Sequence, residues 1–134
     1  MMSVASATAD TPSGHRVAVQ INSSDPALMN LALNNIHNIV EYYKGIGEEV
    51  QIEVVAYGPG LHMLRADTSP VKERLTTLKQ SQPTLAFSAC ENTRNGMKRA
   101  ERKDIPLLPE AGVVPSGVVR LMQLQEQGWS YLRP

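Results

Sequence analysis

The sequence predicts a single α/β domain whose mainly parallel sheet has about five strands, with helices on both faces. Short β-branched apolar segments alternate with helical patterns along the chain, and proline or glycine marks most of the boundaries. A chain of 134 residues is also the size of one domain with a substantial core. Alternating strands and helices assemble into parallel sheets through right-handed crossovers, so this order of elements favours a doubly wound fold.

The first strand and the first helix have the clearest signals. Residues 17–21, VAVQI, form an apolar run, and Asp25 followed by Pro26 combines a capping residue with a proline at the first helical position. Gly45 and Gly47 end the predicted helix. Its apolar residues keep the spacing of three and four that holds one face against a sheet: Met29, Ala32, Leu33, Ile36, Val40 and Tyr43.

The rest of the chain repeats the strand-to-helix pattern. Four further strands are predicted from short apolar segments at residues 50–56, 84–87, 113–114 and 129–132. Between the first two of these, residues 57–60 are predicted as a loop and residues 61–66 as a turn. Three further helices are predicted to begin near Ser69, Asn92 and Pro115.

Every strand-to-helix connection of such a sheet opens at the carboxyl ends of the strands, where ligands bind. Cys90, the only cysteine of the chain, follows the third predicted strand and therefore lies at this edge. Polar or conformationally permissive residues of the neighbouring loops are the candidates for binding a small ligand beside it: Asn22, Ser23, Tyr57, Gly58, Gly60, His62, Asn92 and Thr93.

The placement of Cys90 before a helix favours an activated thiolate. A helix N-terminus has free N–H groups and a partial positive charge, and both lower the pKa of a cysteine. The N–H groups of residues 91–93 are the expected donors, Arg94 would help if it folds back, and Glu91 opposes the charge. The alternative is that Cys90 is a small buried hydrophobic residue, a common fate of free cysteines.

Composition and charge exclude several classes of function. Lys and Arg balance Asp and Glu at 13 each, so no net field attracts nucleic acid or an anionic membrane. No apolar run reaches the roughly 20 residues that a membrane helix needs. Residues 1–14 are predicted as a disordered leader before a domain over 15–134, and a single cysteine makes the cytoplasm the default location.

No cofactor or metal is predicted. Three histidines without a second cysteine at ligand spacing make a zinc site improbable. The glycines of the segment Gly58-Pro59-Gly60 lack the spacing of a phosphate-binding loop, which favours a tight turn instead.

Four segments together resemble the DsrE/DsrF-like (YchN-like) family of small sulfur-relay-type proteins. They are DPALMNLALNNIHN at 25–38, VVAYGPGLHML at 54–64, ACENT at 89–93 and GVVPSGVVRLMQLQEQGWSYLRP at 112–134. The resemblance implies a five-stranded parallel sheet and assembly into trimers or hexamers. It also implies a cysteine after the third strand that accepts persulfide sulfur, a position that Cys90 matches.

Two main hypotheses follow from these observations. The first is a sulfur carrier, a possible sulfurtransferase-type protein, that accepts persulfide sulfur on Cys90 and passes it to a partner protein. The second is a non-catalytic oligomeric module that binds a small ligand or a protein. A general redox sensor is a weaker third, because a single cysteine has no resolving partner in its own chain. For the oligomer, Leu61, Met63 and Leu64 either form an exposed patch or complete the core.

Overall fold

The sheet has five parallel strands in the spatial order β4-β3-β2-β1-β5. The computed structural model describes residues 14–134, so the predicted leader, except Gly14, lies outside the described residues. The fold class that the sequence predicts is confirmed. The strands are β1 (His15–Ile21), β2 (Val50–Ala56), β3 (Ala86–Cys90), β4 (Ala111–Val114) and β5 (Ser130–Leu132).

Four α-helices and one short 3₁₀-helix connect the strands. At the start of α1 the Asp25 carboxylate accepts a hydrogen bond of 2.9 Å from the Ala27 N–H, the predicted cap. Among residues 14–134, no helix is both long and apolar enough to cross a membrane. The helices are α1 (Pro26–Gly45), the 3₁₀-helix (Gly58–Leu64), α2 (Lys72–Ser81), α3 (Glu91–Glu101) and α4 (Gly117–Glu126).

The two faces of the sheet bury different amounts of apolar surface. The main core lies on the face where α1, α2 and the 3₁₀-helix pack, and Met97 of α3 contacts it. On the other face, Leu121 and Leu124 of α4 pack on Ala18 and Val55. Alternate residues of each strand point to opposite faces, which is why the neighbours of Ala18 in β1 belong to the main core.

Residues 58–64 form a 3₁₀-helix instead of the predicted loop and turn. Its Leu61, Met63 and Leu64 are fully buried in the main core, so they do not form an association patch. Gly60 explains how this segment comes so close to the sheet: a Cβ atom there would lie 2.2 Å from the Ile21 carbonyl oxygen. Only glycine permits that approach of two backbones.

Several predicted boundaries move in the structure, and β1 and β4 each begin two residues earlier than predicted. Helix α2 begins at Lys72, and Ser69 instead accepts a hydrogen bond of 3.3 Å from the Val71 N–H, which forms a turn before the helix. Strand β3 begins two residues later than predicted and continues to Cys90, where it pairs with Val114 of β4. Helix α3 therefore follows β3 directly, with no loop between the predicted strand at 84–87 and the helix predicted to begin near Asn92.

Candidate functional site

Cys90 is both the last residue of β3 and the N-cap of α3. Its sulfur accepts a hydrogen bond of 3.4 Å from the Thr93 N–H, the bond that an N-cap oxygen usually accepts. Cysteine is not among the residues that helices prefer at this position. The residue is 4% exposed, so the sulfur lies at the positive end of α3 and is largely shielded from solvent.

A second helix directs its N-terminus at the same sulfur. Gly117 is the first residue of α4, and its N–H group lies near enough to Cys90 to lower the pKa of the thiol. A Cβ atom on Gly117 would lie 2.9 Å from the Cβ atom of Tyr57, so glycine lets this helix approach the β2 end of the sheet. Two helix N-termini therefore meet at one sulfur atom, an electropositive environment for a thiolate.

The Thr93 hydroxyl connects the sulfur to the 3₁₀-helix. Its Oγ1 accepts a hydrogen bond of 2.9 Å from the Gly58 N–H, and the same hydroxyl lowers the pKa of the Cys90 thiol. Gly58 adopts a left-handed backbone with φ of 55°, a conformation that favours glycine. The first turn of α3 is thereby fixed to the start of the 3₁₀-helix.

These contacts lower the pKa of the Cys90 thiol below its ordinary value. Burial acts in the opposite direction and raises the pKa, but hydrogen bonds to the sulfur outweigh it. The groups responsible are, in decreasing order of effect, the Thr93 hydroxyl and the N–H groups of Thr93, Gly117 and Asn92. Of the N–H groups of residues 91–93 that are predicted to stabilise the sulfur, that of Thr93 donates to it, whereas that of Asn92 donates to the Pro115 carbonyl oxygen at 3.3 Å and lowers the pKa from nearby.

The two charged neighbours of Cys90 interact with other groups. Arg94 donates from Nε to the Ile105 carbonyl oxygen at 3.0 Å, so its side chain does not fold back onto the sulfur. Its Nη1 atom lies 3.8 Å from Glu91 Oε1, the i to i+3 contact of a helix surface. Hydrogen bonds from neutral groups, and not the Arg94 charge, therefore provide the stabilisation described above.

The predicted ligand-binding residues divide into two groups. Tyr57, Gly58, Asn92 and Thr93 are brought together around Cys90 by the contacts above. Gly60 lies against the end of β1. Whether any of them binds a ligand stays a prediction.

The other predicted residues make separate contacts. Ser23 accepts a hydrogen bond of 3.1 Å from the Asp25 N–H and so belongs to the turn before α1, next to the exposed Asn22. The His62 ring pairs through Nδ1 with Thr68 Oγ1 at 2.8 Å. Within the described part of the chain, no hydrogen bond joins these side chains to Cys90, and no cluster of three His, Cys, Asp or Glu side chains could hold a metal ion.

Sequence reasoning missed Gly117 as part of the site. The available signal was the order of elements, because Ser116 and Gly117 follow β4 at the same edge of the sheet as Cys90. Ser116 caps α4 by accepting a hydrogen bond of 3.5 Å from the Val119 N–H. This cap leaves the Gly117 N–H available to the sulfur.

A cysteine at the end of the third strand of a five-stranded parallel sheet is also what the family resemblance implies. The model of the DsrE/DsrF-like family matches residues 11–134. The chain belongs to the DsrE/DsrF-like family. Membership suggests a sulfur-relay-like role for this member.

A solved structure supports the same assignment. MTH1491 from Methanobacterium thermoautotrophicum, a protein of unknown function, has a similar fold with a TM-score of 0.76. The two sequences are 35% identical, and the match covers 90% of this chain and 99% of MTH1491. No curated protein matches the chain. The comparisons therefore establish the family and the fold of this DsrE/DsrF-like protein, and the reaction has to be argued from the site.

Proposed function

We propose that this protein is a sulfur carrier that takes a sulfane sulfur onto Cys90 as a persulfide and passes it to an acceptor thiol. The observation that carries the proposal is the meeting of two helix N-termini at the Cys90 sulfur. Hydrogen bonds from N–H and O–H groups favour the thiolate over the thiol. The thiolate is the species that attacks sulfur, so the site favours the reactive form.

The proposed transfer exchanges sulfur between thiols without net oxidation. The Cys90 thiolate attacks the outer sulfur of a donor persulfide, R–S–SH, and a new S–S bond forms while the S–S bond of the donor breaks. The donor leaves as R–S⁻ with the electron pair, and the proton stays on the transferred sulfur. An acceptor thiolate then attacks that same sulfur, and Cys90 leaves as a thiolate.

The hydrogen bonds to Cys90 assist both steps. In the first step they increase the fraction of Cys90 that is ionised near neutral pH. In the second step they stabilise Cys90 as the leaving group, and a thiol of lower pKa leaves faster. The same set of donors therefore serves a carrier that has to accept sulfur and release it again.

Loading of sulfur onto the purified protein tests the proposal. Inorganic polysulfide is a suitable donor because it is small enough for a cysteine that is only 4% exposed. We expect the intact mass to rise by one sulfur atom, to return after treatment with a reductant, and to stay constant in Cys90→Ser. A wild-type protein that gains no sulfur, while a persulfide carrier treated in parallel does, would refute the carrier function.

The burial of Cys90 supports a second candidate function. A largely buried thiol is also what a non-catalytic oligomeric module would contain, with its cleft at the same edge of the sheet binding a small ligand or a peptide. The two functions differ in the pKa of Cys90, which the rate of alkylation against pH reports. A pKa at or above the value of about 8.5 for a free cysteine would favour the binding module.

The proposed carrier works with a sulfur-transfer partner protein and as a homo-oligomer, the assembly that the family resemblance implies. Exposed apolar side chains on α4 support this part of the proposal. Val118, Val119 and Met122 are each about half exposed and lie on the helix that begins beside Cys90. Light scattering on the purified protein should give a mass of three or six chains, and the mass of a single chain would contradict the assembly.

A further inference from the structure

An ion pair between a buried carboxylate and a partly exposed guanidinium lies under α4, on the face of the sheet opposite the main core. Glu53 of β2 is 5% exposed, and Arg120 of α4 donates to its two oxygens from Nε and Nη2, each at 2.7 Å. Ser88 of β3 donates to the same carboxylate at 2.8 Å. A two-point contact between guanidinium and carboxylate fixes both the distance and the angle between α4 and the sheet.

This ion pair connects to the thiol through both of its neighbours. Ser88 precedes Cys90 by two residues in β3, so the two side chains lie on the same face of the sheet. Arg120 follows Gly117 by three residues in α4, less than one helical turn. A chain of contacts therefore runs from Cys90 through β3 to Ser88 and Glu53 and across to Arg120, in the helix whose first residue, Gly117, lowers the pKa of Cys90.

Both partners of the pair are charged near neutral pH. Burial raises the pKa of Glu53, but hydrogen bonds from Arg120 and Ser88 outweigh it and bring the net pKa below the ordinary value. The Glu53 carboxylate in turn raises the pKa of Arg120. The contact thus persists over the range of pH in which a cysteine titrates.

We propose that Glu53 and Arg120 are positioning residues whose ion pair holds the first turn of α4, with the Gly117 N–H, beside the Cys90 sulfur. The interaction of an N–H group with a thiolate weakens steeply with distance and angle, and a small displacement of α4 would therefore weaken it. Buried ion pairs contribute little net stability compared with well-packed apolar residues, whereas their geometry is strict. This positioning role rests on the proposed sulfur-carrier function, because the position of the N–H group matters for catalysis only if Cys90 carries sulfur.

The pKa of Cys90 in three variants tests the proposal. We expect Glu53→Gln, Arg120→Met and the double variant all to raise this pKa, which alkylation rates across pH measure cleanly because the chain has one cysteine. At a pH below the pKa of Cys90, where the thiolate is the minor form, the alkylation rate should fall about fivefold, the factor expected for the loss of one hydrogen bond. No sulfur donor takes part in this measurement.

The signs of the shifts separate positioning from a direct effect of charge. If the pair acted only through its electric field, Glu53→Gln would leave the Arg120 charge uncompensated and lower the pKa of Cys90. In the double variant, the field explanation predicts no change, because both charges are removed together. A lowered pKa in Glu53→Gln, or an unchanged pKa in a folded double variant, would overturn the proposal.

Two further variants complete the design. Arg74→Met is the matched control: Arg74 also bridges two elements, by donating to Asn30 and Asn34 of α1, and its loss should leave the pKa of Cys90 unchanged. Arg120→Lys keeps the charge without the two-point contact and should raise the pKa to an intermediate value, even if Arg120→Met fails to fold. An unchanged pKa in Arg120→Lys would count against positioning.

The outcome for positioning is separate from the outcome for sulfur transfer. Wild-type protein that loads no sulfur, with a raised Cys90 pKa in the variants, would refute the carrier function and support positioning. Wild-type protein that loads sulfur, with an unchanged pKa in the folded variants, would support the carrier function and refute positioning.

Discussion

The two ends of helix α3 are attached to the rest of the protein by different chemistry. At the first turn, the cap is a sulfur atom that accepts a bond of 3.4 Å from the Thr93 N–H. At the last turn, Glu101 accepts bonds of 2.7 and 2.9 Å from the guanidinium of Arg65. Arg65 is 1% exposed and donates to Asp67 as well, at 3.0 and 2.7 Å.

The difference shows that the attachment of α3 and its chemistry are placed at opposite ends of the helix. Sulfur is a weak hydrogen-bond acceptor, and helices prefer oxygen-bearing caps, so Cys90 is a poor choice for helix stability alone. Hydrogen bonds between charged groups are stronger than those between neutral ones, and the Arg65 network supplies them far from the thiol. A sulfur atom can therefore occupy the first turn without α3 losing its place.

Replacement of Arg65 by methionine should have the largest effect on stability. Arg65→Met removes the guanidinium that neutralises Asp67 and Glu101, and we expect urea unfolding to show a loss of about 3 kcal/mol. The alkylation profile of Cys90 should stay as in the wild type, because the sulfur and its donors lie at the other end. A raised pKa of Cys90 in the folded variant would show that the two ends are not independent.

The Arg65 network also predicts how stability responds to acid. Hydrogen bonds from Arg65 lower the pKa of Asp67 and of Glu101 below the usual carboxyl values of about 4. Their contribution is thus complete above about pH 4 and is lost as the pH falls through the lowered pKa values. The stability difference between wild type and Arg65→Met should shrink in acid, and a difference that is constant from neutral pH to pH 3 would contradict this account.

Removal of the Thr93 hydroxyl should have a smaller effect on stability and a direct effect on the thiol. In Thr93→Val the Gly58 N–H loses its acceptor and Cys90 loses the neighbouring hydroxyl that lowers its pKa. We expect the free energy of unfolding to fall by about 1 to 2 kcal/mol and the pKa of Cys90 to rise. Thr93→Ser keeps the hydroxyl and serves as the control. A wild-type alkylation profile in Thr93→Val would exclude the hydroxyl from the account of the thiolate.

Replacement of Cys90 by serine tests whether the first turn is built for the sulfur. Serine is a preferred N-cap, so the free energy of unfolding of Cys90→Ser should exceed that of the wild type by about 0.5 to 1 kcal/mol at a pH below the lowered pKa of Cys90. Because the folded pKa of Cys90 is lowered, the wild type gains stability as the pH rises from that value towards about 8.5. The advantage of serine should therefore shrink with pH, and denaturant unfolding at several pH values measures it. An advantage independent of pH would mean that the fold does not favour the thiolate.

Local sequence patterns were enough to predict most of the fold. Asp25 and Pro26 mark the start of α1 by their own backbone chemistry, and the pattern of apolar residues identifies its buried face. Residues 58–64 were misassigned because glycine and proline there resemble those of a loop. Their helical turn depends on the approach of Gly60 to the end of β1, and no local pattern reports such an approach.

The candidate site was predictable only where it depends on the order of elements. A cysteine between a strand and a helix lies next to the first N–H groups of that helix, which is why Asn92 and Thr93 could be predicted as neighbours of the sulfur. Gly117 is 27 positions away in the chain, and Arg120 and Glu53 are 67 positions apart. The order of elements places Gly117 at the same edge of the sheet as Cys90, but which groups meet there, and which side chains form the ion pair, depends on how separate elements pack.

The well-attached end of α3 contains one residue that is not optimal for stability. Arg102 follows the helix in a left-handed conformation with φ of 57°, while its N–H donates to the Lys98 carbonyl oxygen at 2.8 Å. Glycine is the usual residue at this position because it has no Cβ atom to strain the backbone. We expect Arg102→Gly to raise the free energy of unfolding by about 0.5 kcal/mol, since relief of strain exceeds the added chain entropy of glycine.

Arg99→Gly is the matched control for this smallest effect. It removes the same charge three residues earlier, inside α3, where glycine should lower the free energy of unfolding by about 1 kcal/mol. Opposite signs in urea unfolding would assign the effect to the backbone of Arg102, because the change of charge is common to both variants. Equal losses would instead mean that the Arg102 side chain helps to attach the end of α3, which would extend the charged network beyond Arg65.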